Sequence, residues 1–373
     1  MRIAPADRLI ARVQGVRETL SARHLDGLVV TSLANISYLT GFHASAAALV
    51  LTRDDVVLIG DGRYAESLAT RARECPFIWP VLLPRGDSYE QGLAGVLTRF
   101  HGATIGFESD HLTVSRHLSL TSGVEKAGWQ APLVGCSGVV EQHRVCKDAW
   151  EIAVLREGGA RLSDVAKRIL SNALAGRTES DVAGEIDWQL RRAGFERTAF
   201  DTIVASGPNA ALPHGMAGQR RIERGDLIVL DFGGVLDGYC TDLSRTITAG
   251  PAGHRERRVI EHVVEAQGAA FAAVRPGASP ESIDEAARGT LAGHGIADAF
   301  THGTGHGLGL EVHEAPRVSR GRAGHAEPVL APGMVLTLEP GVYFPGWGGV
   351  RIEDDVLITN DGAEWLTEAP KQP

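Results

Sequence analysis

The sequence predicts an α+β protein with two domains, in which a smaller α/β domain precedes a larger domain built from two similar halves. Three observations support this prediction. The chain has 373 residues, more than one compact core usually holds. Residues 1–143 alternate helical and strand-like stretches, and residues 144–373 run twice through the order helix, helix, hairpin.

The composition indicates a soluble globular protein and argues against several classes. Hydrophobic residues make up 43% of the chain and charged residues 22%, with a net charge of −9. The negative charge and the lack of a Lys/Arg run argue against nucleic-acid binding. No stretch has the length or the leader-like pattern of a membrane segment. The four cysteines have no paired spacing, so we expect free thiols in the cytoplasm.

The first domain follows a simple alternation of elements. Apolar residues at helical spacing predict a helix over 8–23, and a further helix is expected over 89–100. A polar stretch near residues 141–148 marks the domain boundary, which we place between 143 and 144. Short apolar runs bounded by turn residues predict strands at 27–30, 47–51, 56–59 and 104–107.

The second domain repeats its element order. A capping-box pattern at Thr178-Glu179-Ser180-Asp181 and a Ser279-Pro280 pair mark the starts of the second helix in each half. Because each half ends in a hairpin with two acidic residues, a pseudo-twofold site is expected where the halves meet. The predicted elements are helices over 148–174, 178–194, 255–274 and 279–295, a strand at 202–205, and hairpins over 226–248 and 334–359.

Asp231 and Asp242 lie in the first acidic hairpin. A symmetric hairpin turning at Leu236-Asp237 would set these two residues directly opposite, with Cβ atoms roughly 5 Å apart. The strand around Asp231 is apolar, and buried carboxylates need partners. We therefore interpret the pair as ligands of a shared cation rather than as ordinary polar residues near a turn.

Glu339 and Glu353 flank the second turn in a similar way. Arg351 lies two residues from Glu353, on the same strand face, where it could brace a carboxylate through charge-assisted hydrogen bonds. A surface salt bridge is the alternative for this arginine. Four converging carboxylates would repel one another strongly, and cations would relieve that repulsion. The sequence therefore predicts a metalloenzyme.

A glycine-rich loop between the hairpins contains His302, His306 and His313. No Lys-Ser/Thr follows the glycines, which argues against a phosphate loop. An imidazole among carboxylates favours Mn, Co, Zn or Fe over Ca or Mg. The residues alone leave open which histidine is the ligand. His214 lies in a turn-rich loop just before the first hairpin, and this position favours a role in the site over an ordinary surface histidine.

These segments together closely resemble the "pita-bread" metallopeptidases, and within them the proline-specific Xaa-Pro aminopeptidases and Xaa-Pro dipeptidases (prolidases). The resemblance implies a pita-bread fold for residues 144–373. Residues 1–143 resemble the smaller domain of creatinase-like proteins through the stretches NISYLTGF and DGRY. The segments that carry the main resemblance are PNAALPHG, LDFGG, GYCTDLSRT, HGTGHGLGLEVHE, LEPGVY and GGVRIEDDVLIT.

The resemblance also implies a cofactor: two divalent metal ions per subunit, with Mn expected and Co or Zn as alternatives. Asp231 would bind one ion, and His306 and Glu339 the other. Asp242 and Glu353 would bridge both ions.

The implied reaction is hydrolysis by a hydroxide generated at the two metals. Glu339 would act as the proton shuttle, and His214 and His313 would stabilise the tetrahedral intermediate. His302 would line the pocket. Arg317 could grip a substrate's C-terminal carboxylate, which would favour dipeptides, or be a solvated arginine at the rim.

The expected activity is therefore cleavage before proline at the N-terminus of short peptides, by a homodimer that binds no nucleic acid and no membrane. A prolidase restricted to dipeptides is the alternative within the same class. Creatinase, which has the architecture without the metal, and methionine aminopeptidase, which lacks such an N-terminal domain, fit less well. A non-catalytic peptide-binding relative is a remote alternative, because such relatives generally lose ligands.

Overall fold

The computed structural model describes residues 1–129, 131–321 and 327–371. The chain divides into two compact units, Arg2–Arg144 and Val145–Pro373, with Met1 assigned to the second. Within the described ranges, no helix is both long enough and apolar enough to span a membrane.

The first unit contains a six-stranded sheet in the order β4-β3-β2-β1-β5-β6, with helices between the strands. β1 pairs antiparallel with β2 and parallel with β5. The helices are α1 (Ala6–Ala22), α2 (Leu33–Thr40), α3 (Ala65–Glu74), α4 (Tyr89–Leu97), α5 (Val114–Lys126) and α6 (Glu141–Arg144). The strands are β1 (Gly27–Val30), β2 (Ala48–Thr52), β3 (Val56–Gly60), β4 (Ile78–Leu82), β5 (Ile105–Glu108) and β6 (Leu133–Cys136).

Helix α2 was not predicted from the sequence, although its ends follow ordinary capping rules. The Ser32 side chain accepts a hydrogen bond from the Asn35 amide at 3.4 Å, and Gly41 closes the helix in the left-handed conformation with φ of 65°. At eight residues, the helix is too short for its periodicity to stand out in the sequence.

The second unit contains the repeated helix-helix-hairpin order that the sequence predicted. Its helices are α7 (Ala149–Leu170), α8 (Glu179–Arg192), α9 (His254–Ala273) and α10 (Pro280–Gly293). Its strands are β7 (Arg197–Thr198), β8 (Ile203–Ser206), β9 (Leu227–Phe232), β10 (Gly234–Leu236), β11 (Tyr239–Cys240), β12 (Leu243–Thr248), β13 (Gly305–Gly307), β14 (Glu314–Val318), β15 (Val335–Leu338), β16 (Gly341–Phe344), β17 (Gly348–Arg351), β18 (Glu353–Ile358) and β19 (Ala363–Trp365).

The helix starts in this unit agree with the predicted caps. Thr178 and Asp181 form both hydrogen bonds of a capping box at the start of α8. Ser279 caps α10, whose first residue is Pro280. Each half has its own apolar core, with α7 and α8 packed under β9 and β12, and α9 and α10 packed under β15 and β18.

The main sheet has a symmetric order, β14-β13-β15-β18-β12-β9-β8, with β19 beside β18. The halves meet where β12 pairs with β18, which places Ser244 opposite Glu353. The far ends of the two hairpins leave this sheet: β10 and β11 form a small sheet with β7, and β16 and β17 form another. Each hairpin therefore bends next to its acidic residues.

The predicted register of the first hairpin was wrong, because the turn lies one residue later than predicted and each pairing partner is therefore shifted by two residues. Asp231 lies opposite Ser244, not Asp242, and the turn falls at Asp237-Gly238 rather than Leu236-Asp237. Both turn residues have positive φ, 48° and 86°, which is the conformation that a two-residue hairpin turn requires. Asp237 tolerates positive φ better than Leu236 would, so the turn lies one residue later in the chain than predicted.

Candidate active site

A cavity of about 320 Å³ lies in the second unit and is lined by most of the residues that the sequence singled out. Its apolar lining includes Phe200, Ile203, Met216 and Val312, none of which was predicted as a site residue. Arg317 is not among the lining residues. The predicted residues that line the cavity are His214, Asp231, Asp242, His302, His306, His313, Glu339, Arg351 and Glu353.

The acidic side chains enter the cavity where the hairpins bend. Asp231 lies near the end of β9, and Asp242 lies between β11 and β12. Glu353 is the first residue of β18, and Glu339 follows β15 directly. A Cβ atom on Gly233 would lie 1.9 Å from the Thr241 carbonyl oxygen, so glycine is needed for the first hairpin to bend this tightly.

Asp242, His306 and Glu353 form the tightest cluster of ligand-type atoms. One ligand atom from each lies within 4.8 Å of the other two. Among the described residues, this is the group of His, Cys, Asp and Glu side chains that meets the spacing for a metal ion. The geometry thus groups His306, rather than His302 or His313, with two of the carboxylates.

The hydrogen bonds of His306 leave one ring nitrogen available to a ligand. Its Nδ1 lies 3.0 Å from the Gly307 carbonyl oxygen, which can only accept, so Nδ1 carries the proton. Nε2 therefore presents a lone pair, and it lies 3.8 Å from Glu339 Oε1. Burial lowers the pKa of His306 to about 4, with His313 contributing, so the ring is neutral near pH 7. A neutral imidazole is the form that binds metals.

The carboxylates are held in a region that disfavours their charge. Burial raises the pKa of Asp242 and of Glu353 well above the ordinary range, and neighbouring carboxylates add to each shift. Burial raises the pKa of Glu339 to about 8, with Arg351 opposing this shift and Asp231 adding to it. Cations in the cavity would reverse these shifts, because they favour the charged carboxylates.

The polar atoms that lack partners fit a cation. Asp231 Oδ1 and Asp242 Oδ1 are buried and have no hydrogen-bond partner among the described residues. Buried carboxylate oxygens are normally satisfied, so two orphaned oxygens in one cavity point to a missing partner. Four carboxylates and one neutral imidazole are a donor set that suits divalent transition metals. The residues present therefore fit a metal centre.

Arg351 connects the two hairpins through buried hydrogen bonds. Its Nη2 donates to Asp231 Oδ2 at 2.6 Å, and its Nε donates to Ser244 Oγ at 2.9 Å. Ser244 in turn donates to Glu353 Oε2 at 2.8 Å. The arginine thus contacts the carboxylate of the first hairpin directly and that of the second hairpin through Ser244. Ser244 could have been predicted as a site residue, because it lies two positions after Asp242 and side chains two positions apart point to the same face of a strand.

The same arginine positions two further parts of the pocket. Arg351 Nη1 donates to the Tyr343 hydroxyl at 2.8 Å and to the Pro213 carbonyl at 3.1 Å, directly before His214. The Tyr343 hydroxyl also lies 2.8 Å from His302 Nε2. Since His302 Nδ1 lies 2.8 Å from the Gly303 carbonyl oxygen, Nδ1 carries the proton and Nε2 accepts from Tyr343. Tyr343 was not predicted as a site residue, although it ends the LEPGVY segment that carries part of the family resemblance.

His313 and Arg317 are both neighbours of His306. The His313 ring packs edge-on against the His306 ring, with centroids 4.3 Å apart. Burial lowers the pKa of His313, and the charge of Arg317 adds to this shift. Arg317 is exposed on β14, where its backbone lies opposite His306 in the pairing of β13 with β14. Its role at the substrate stays a prediction.

Comparison with known proteins assigns the chain to a family. Residues 153–360 match the model of metallopeptidase family M24, and residues 12–146 match the creatinase/prolidase N-terminal domain. The protein therefore belongs to the M24 metallopeptidases and is an enzyme of that class, which confirms the predicted family and fold class.

Individual relatives cover nearly the whole chain. It is 31% identical to a Xaa-Pro dipeptidase of Pyrococcus horikoshii, over 98% of this chain and 99% of that one. The solved structure of a Xaa-Pro dipeptidase from Bacillus anthracis is similar with a TM-score of 0.89 and 32% identity, over 98% and 99% of the two chains. An X-Pro aminopeptidase from Thermotoga maritima is similar with a TM-score of 0.83 and 30% identity, over 95% and 99%.

Proposed function

We propose that this protein hydrolyses the peptide bond preceding proline at the N-terminus of short peptides, and that divalent cations bound in the cavity are required. The observation that carries the proposal is the cavity in which four carboxylates and the neutral His306 converge, two of them with orphaned oxygens. Similarity to two Xaa-Pro dipeptidases and an X-Pro aminopeptidase supports the preference for proline.

The proposed ligand set draws on both halves of the second unit. Asp231 would hold one cation, and His306 and Glu339 the other, with Asp242 and Glu353 shared by both. Mn²⁺ is the proposed ion, with Co²⁺ and Zn²⁺ as alternatives. Bound cations would supply Lewis acidity, which acidifies water and polarises a peptide carbonyl.

The side chains of the pocket would handle the protons and the developing charge. Glu339 takes a proton from the attacking water on one of its Oε atoms and passes it to the proline nitrogen as the peptide bond breaks. This transfer matters because the leaving nitrogen, which belongs to the proline ring and carries no hydrogen in the peptide, must gain a proton to depart as a secondary amine. His214 and His313 donate hydrogen bonds to the carbonyl oxygen as it gains negative charge.

A test of the proposal uses protein stripped of metal with a chelator and resupplied with Mn²⁺, Co²⁺ or Zn²⁺. Hydrolysis of Xaa-Pro and Xaa-Pro-Yaa peptides is followed beside matched Xaa-Ala peptides. We expect metal-dependent cleavage before proline only. Equal turnover of the Xaa-Ala peptides would contradict the assignment, and so would full activity in the chelated protein.

The same experiment separates two substrate ranges. A dipeptidase would cleave Xaa-Pro and leave Xaa-Pro-Yaa intact, and the names of the Pyrococcus horikoshii and Bacillus anthracis relatives favour this range. An aminopeptidase would cleave both. A homodimer and a cytoplasmic location stay predictions, and light scattering in solution would test the first.

A further inference from the structure

A buried polar network lies directly behind the carboxylates of the cavity. Its centre is Asp354, whose side chain is fully buried and follows Glu353 in β18, so that the two side chains point to opposite faces of the strand. Asp354 Oδ1 accepts from Arg245 Nη2 at 2.7 Å and from Thr367 Oγ1 at 3.0 Å. Asp354 Oδ2 accepts from Gln267 Nε2 at 3.1 Å and pairs with Lys371 Nζ at 2.9 Å.

The donors of this network also bind the backbone beside the proposed ligands. Gln267 Nε2 donates to the Leu338 carbonyl at 2.9 Å, one residue before Glu339. Arg245 Nη1 donates to the Glu353 carbonyl at 2.7 Å and to the Ser244 carbonyl at 2.9 Å. The network therefore fixes the relative positions of β12, β15 and β18, which border the cavity.

The segment from Leu366 to Lys371 completes the network. The Leu366 amide donates to the Asp355 carbonyl at 2.8 Å. Arg245 donates to the carbonyls of Ala369 and Pro370, both at 2.9 Å. Lys371 Nζ lies 2.7 Å from Gln267 Oε1, 2.9 Å from Asp354 Oδ2 and 4.1 Å from the centre of the Trp365 ring.

We propose that Lys371 is a positioning residue of the metal centre, which sets the spacing of Asp242, Glu339 and Glu353 through Gln267 and Asp354. The inference rests on the ligand assignment of the proposed function. If the Lys371 ammonium group is removed, the buried Gln267 Oε1 loses a hydrogen-bond donor. Asp354 also loses one of its two cationic partners, Lys371 and Arg245. Each loss is costly in a buried site. Gln267 then keeps only the bonds of its Nε2, to the carbonyls of Leu338 and Ile352 and to Asp354 Oδ2, and its amide is held from one side instead of two.

A segment that only anchored the fold would give a different result. It would lower the melting temperature of the metal-free protein without changing the geometry of a bound metal. The visible absorption spectrum of Co²⁺ depends on coordination geometry, and so distinguishes positioning from simple anchoring. Residues that orient ligands typically change metal affinity by about 10- to 100-fold when they are replaced.

The experiment compares Lys371→Met with Lys371→Arg and with a matched control, Lys167→Met. Lys167 borders the same surface groove as Lys371, but its side chain is 53% exposed and, among the residues that the structure describes, its ion pair is with a neighbour on its own helix, Asp164. Each full-length protein is stripped of metal, checked for folding by circular dichroism, and titrated with Co²⁺ while the visible spectrum is recorded.

We expect Lys371→Met to weaken Co²⁺ binding about 10- to 100-fold and to alter the spectrum. Lys371→Arg should retain most of the affinity, and Lys167→Met should match the wild type. If Lys371→Met does not fold, Lys371→Gln, which keeps a hydrogen-bond donor, carries the same test with a smaller expected loss. A folded variant with wild-type affinity and spectrum overturns the inference. A wild-type protein that binds no Co²⁺ overturns the ligand assignment as well.

Discussion

Glu339 has the environment that the proposed proton transfer requires. Burial raises its pKa to about 8, and a fifth of its side chain (20%) remains exposed to the cavity. A carboxyl group with a pKa near neutrality can both accept and release a proton during turnover. When cations occupy the cavity this pKa will fall, so burial and bound metal have opposite effects on the pKa of Glu339.

Replacement of this group gives the first prediction. Glu339→Gln keeps the size of the side chain but removes its basicity, and we expect kcat to fall by about 10²- to 10⁴-fold. Circular dichroism should show a folded protein. Metal content, measured in parallel, separates lost basicity from lost binding. Glu285→Gln, at an exposed position on α10, is the matched control. Wild-type turnover in Glu339→Gln would remove the shuttle role.

Arg317 gives a prediction about substrate length. The residue is exposed on β14 and does not line the cavity. It lies opposite His306 in the β13–β14 pairing, and its charge helps to lower the pKa of His313. If its guanidinium grips a substrate carboxylate, Arg317→Gln should raise KM for Xaa-Pro dipeptides by about tenfold, the loss of a charged hydrogen bond. KM for longer peptides should change less. Equal KM values for mutant and wild type on dipeptides would assign Arg317 to the solvated surface.

At the scale of elements, the hairpins and the histidine loop depend on close backbone contacts. A Cβ atom on Gly305 would lie 1.9 Å from the Thr337 carbonyl oxygen, so only glycine lets β13 approach β15 and carry His306 into the cavity. The His306 amide donates to Thr337 Oγ1 at 3.2 Å across the same contact. The position of the proposed imidazole ligand therefore depends on this pair of strands.

This contact can be tested by two glycine-to-alanine substitutions that should change the unfolding free energy in opposite directions. Gly305→Ala should cost about 1–3 kcal/mol of unfolding free energy and weaken metal binding, because β13 must move away from β15. Gly289→Ala, on the exposed face of α10 with nothing within 4 Å of its Cβ position, should instead be neutral or stabilising by up to about 1 kcal/mol. Denaturant melts of both variants provide the measurement. Unchanged stability in Gly305→Ala would show that the strands can separate without cost.

A feature of the fold or of the site could be predicted from the sequence when the residues that form it lie close together along the chain. Thr178 and Ser279 cap helices through bonds to residues three positions away, so their helix starts were evident. The register around Asp231 was mispredicted because the turn was centred one residue too early, although the Asp237-Gly238 pair is typical of a turn with positive φ at both positions. The contacts of Tyr343 were beyond prediction, since its partners Arg351 and His302 lie eight and 41 positions away.

At the scale of the molecule, the cavity makes the stability of the metal-free second unit depend on pH. Burial raises the pKa of Glu339 to about 8 and that of Asp242 and Glu353 well above their usual range. The folded state then holds protons that the unfolded chain releases near its ordinary carboxyl pKa, so stability is lost as pH rises towards 8. Burial lowers the pKa of His302 and His306 to about 4 and has the opposite effect, but only below about pH 6.5.

The resulting prediction concerns the chelated protein between pH 6.5 and 8.5. Above about pH 7.5 both histidines are neutral in the folded and in the unfolded state, so the carboxyl groups set the slope there and the melting temperature should fall as pH rises. Saturating Mn²⁺ should remove or reverse this fall, because cations bind the deprotonated carboxylates. Glu339→Gln should flatten the slope. A melting temperature of the chelated protein that rises across this interval would contradict the assigned pKa directions.

The pairing of β12 with β18 has a consequence for the order in which the chain is made. Asp231 and Asp242 belong to the half that emerges first from the ribosome, whereas His306, Glu339 and Glu353 belong to the half that follows. A nascent chain that has produced only the earlier half lacks three of the five proposed donors. If the proposed ligand set holds, binding of metal at the full site must wait until synthesis has passed Glu353, and a chain that stalls earlier cannot form the complete site.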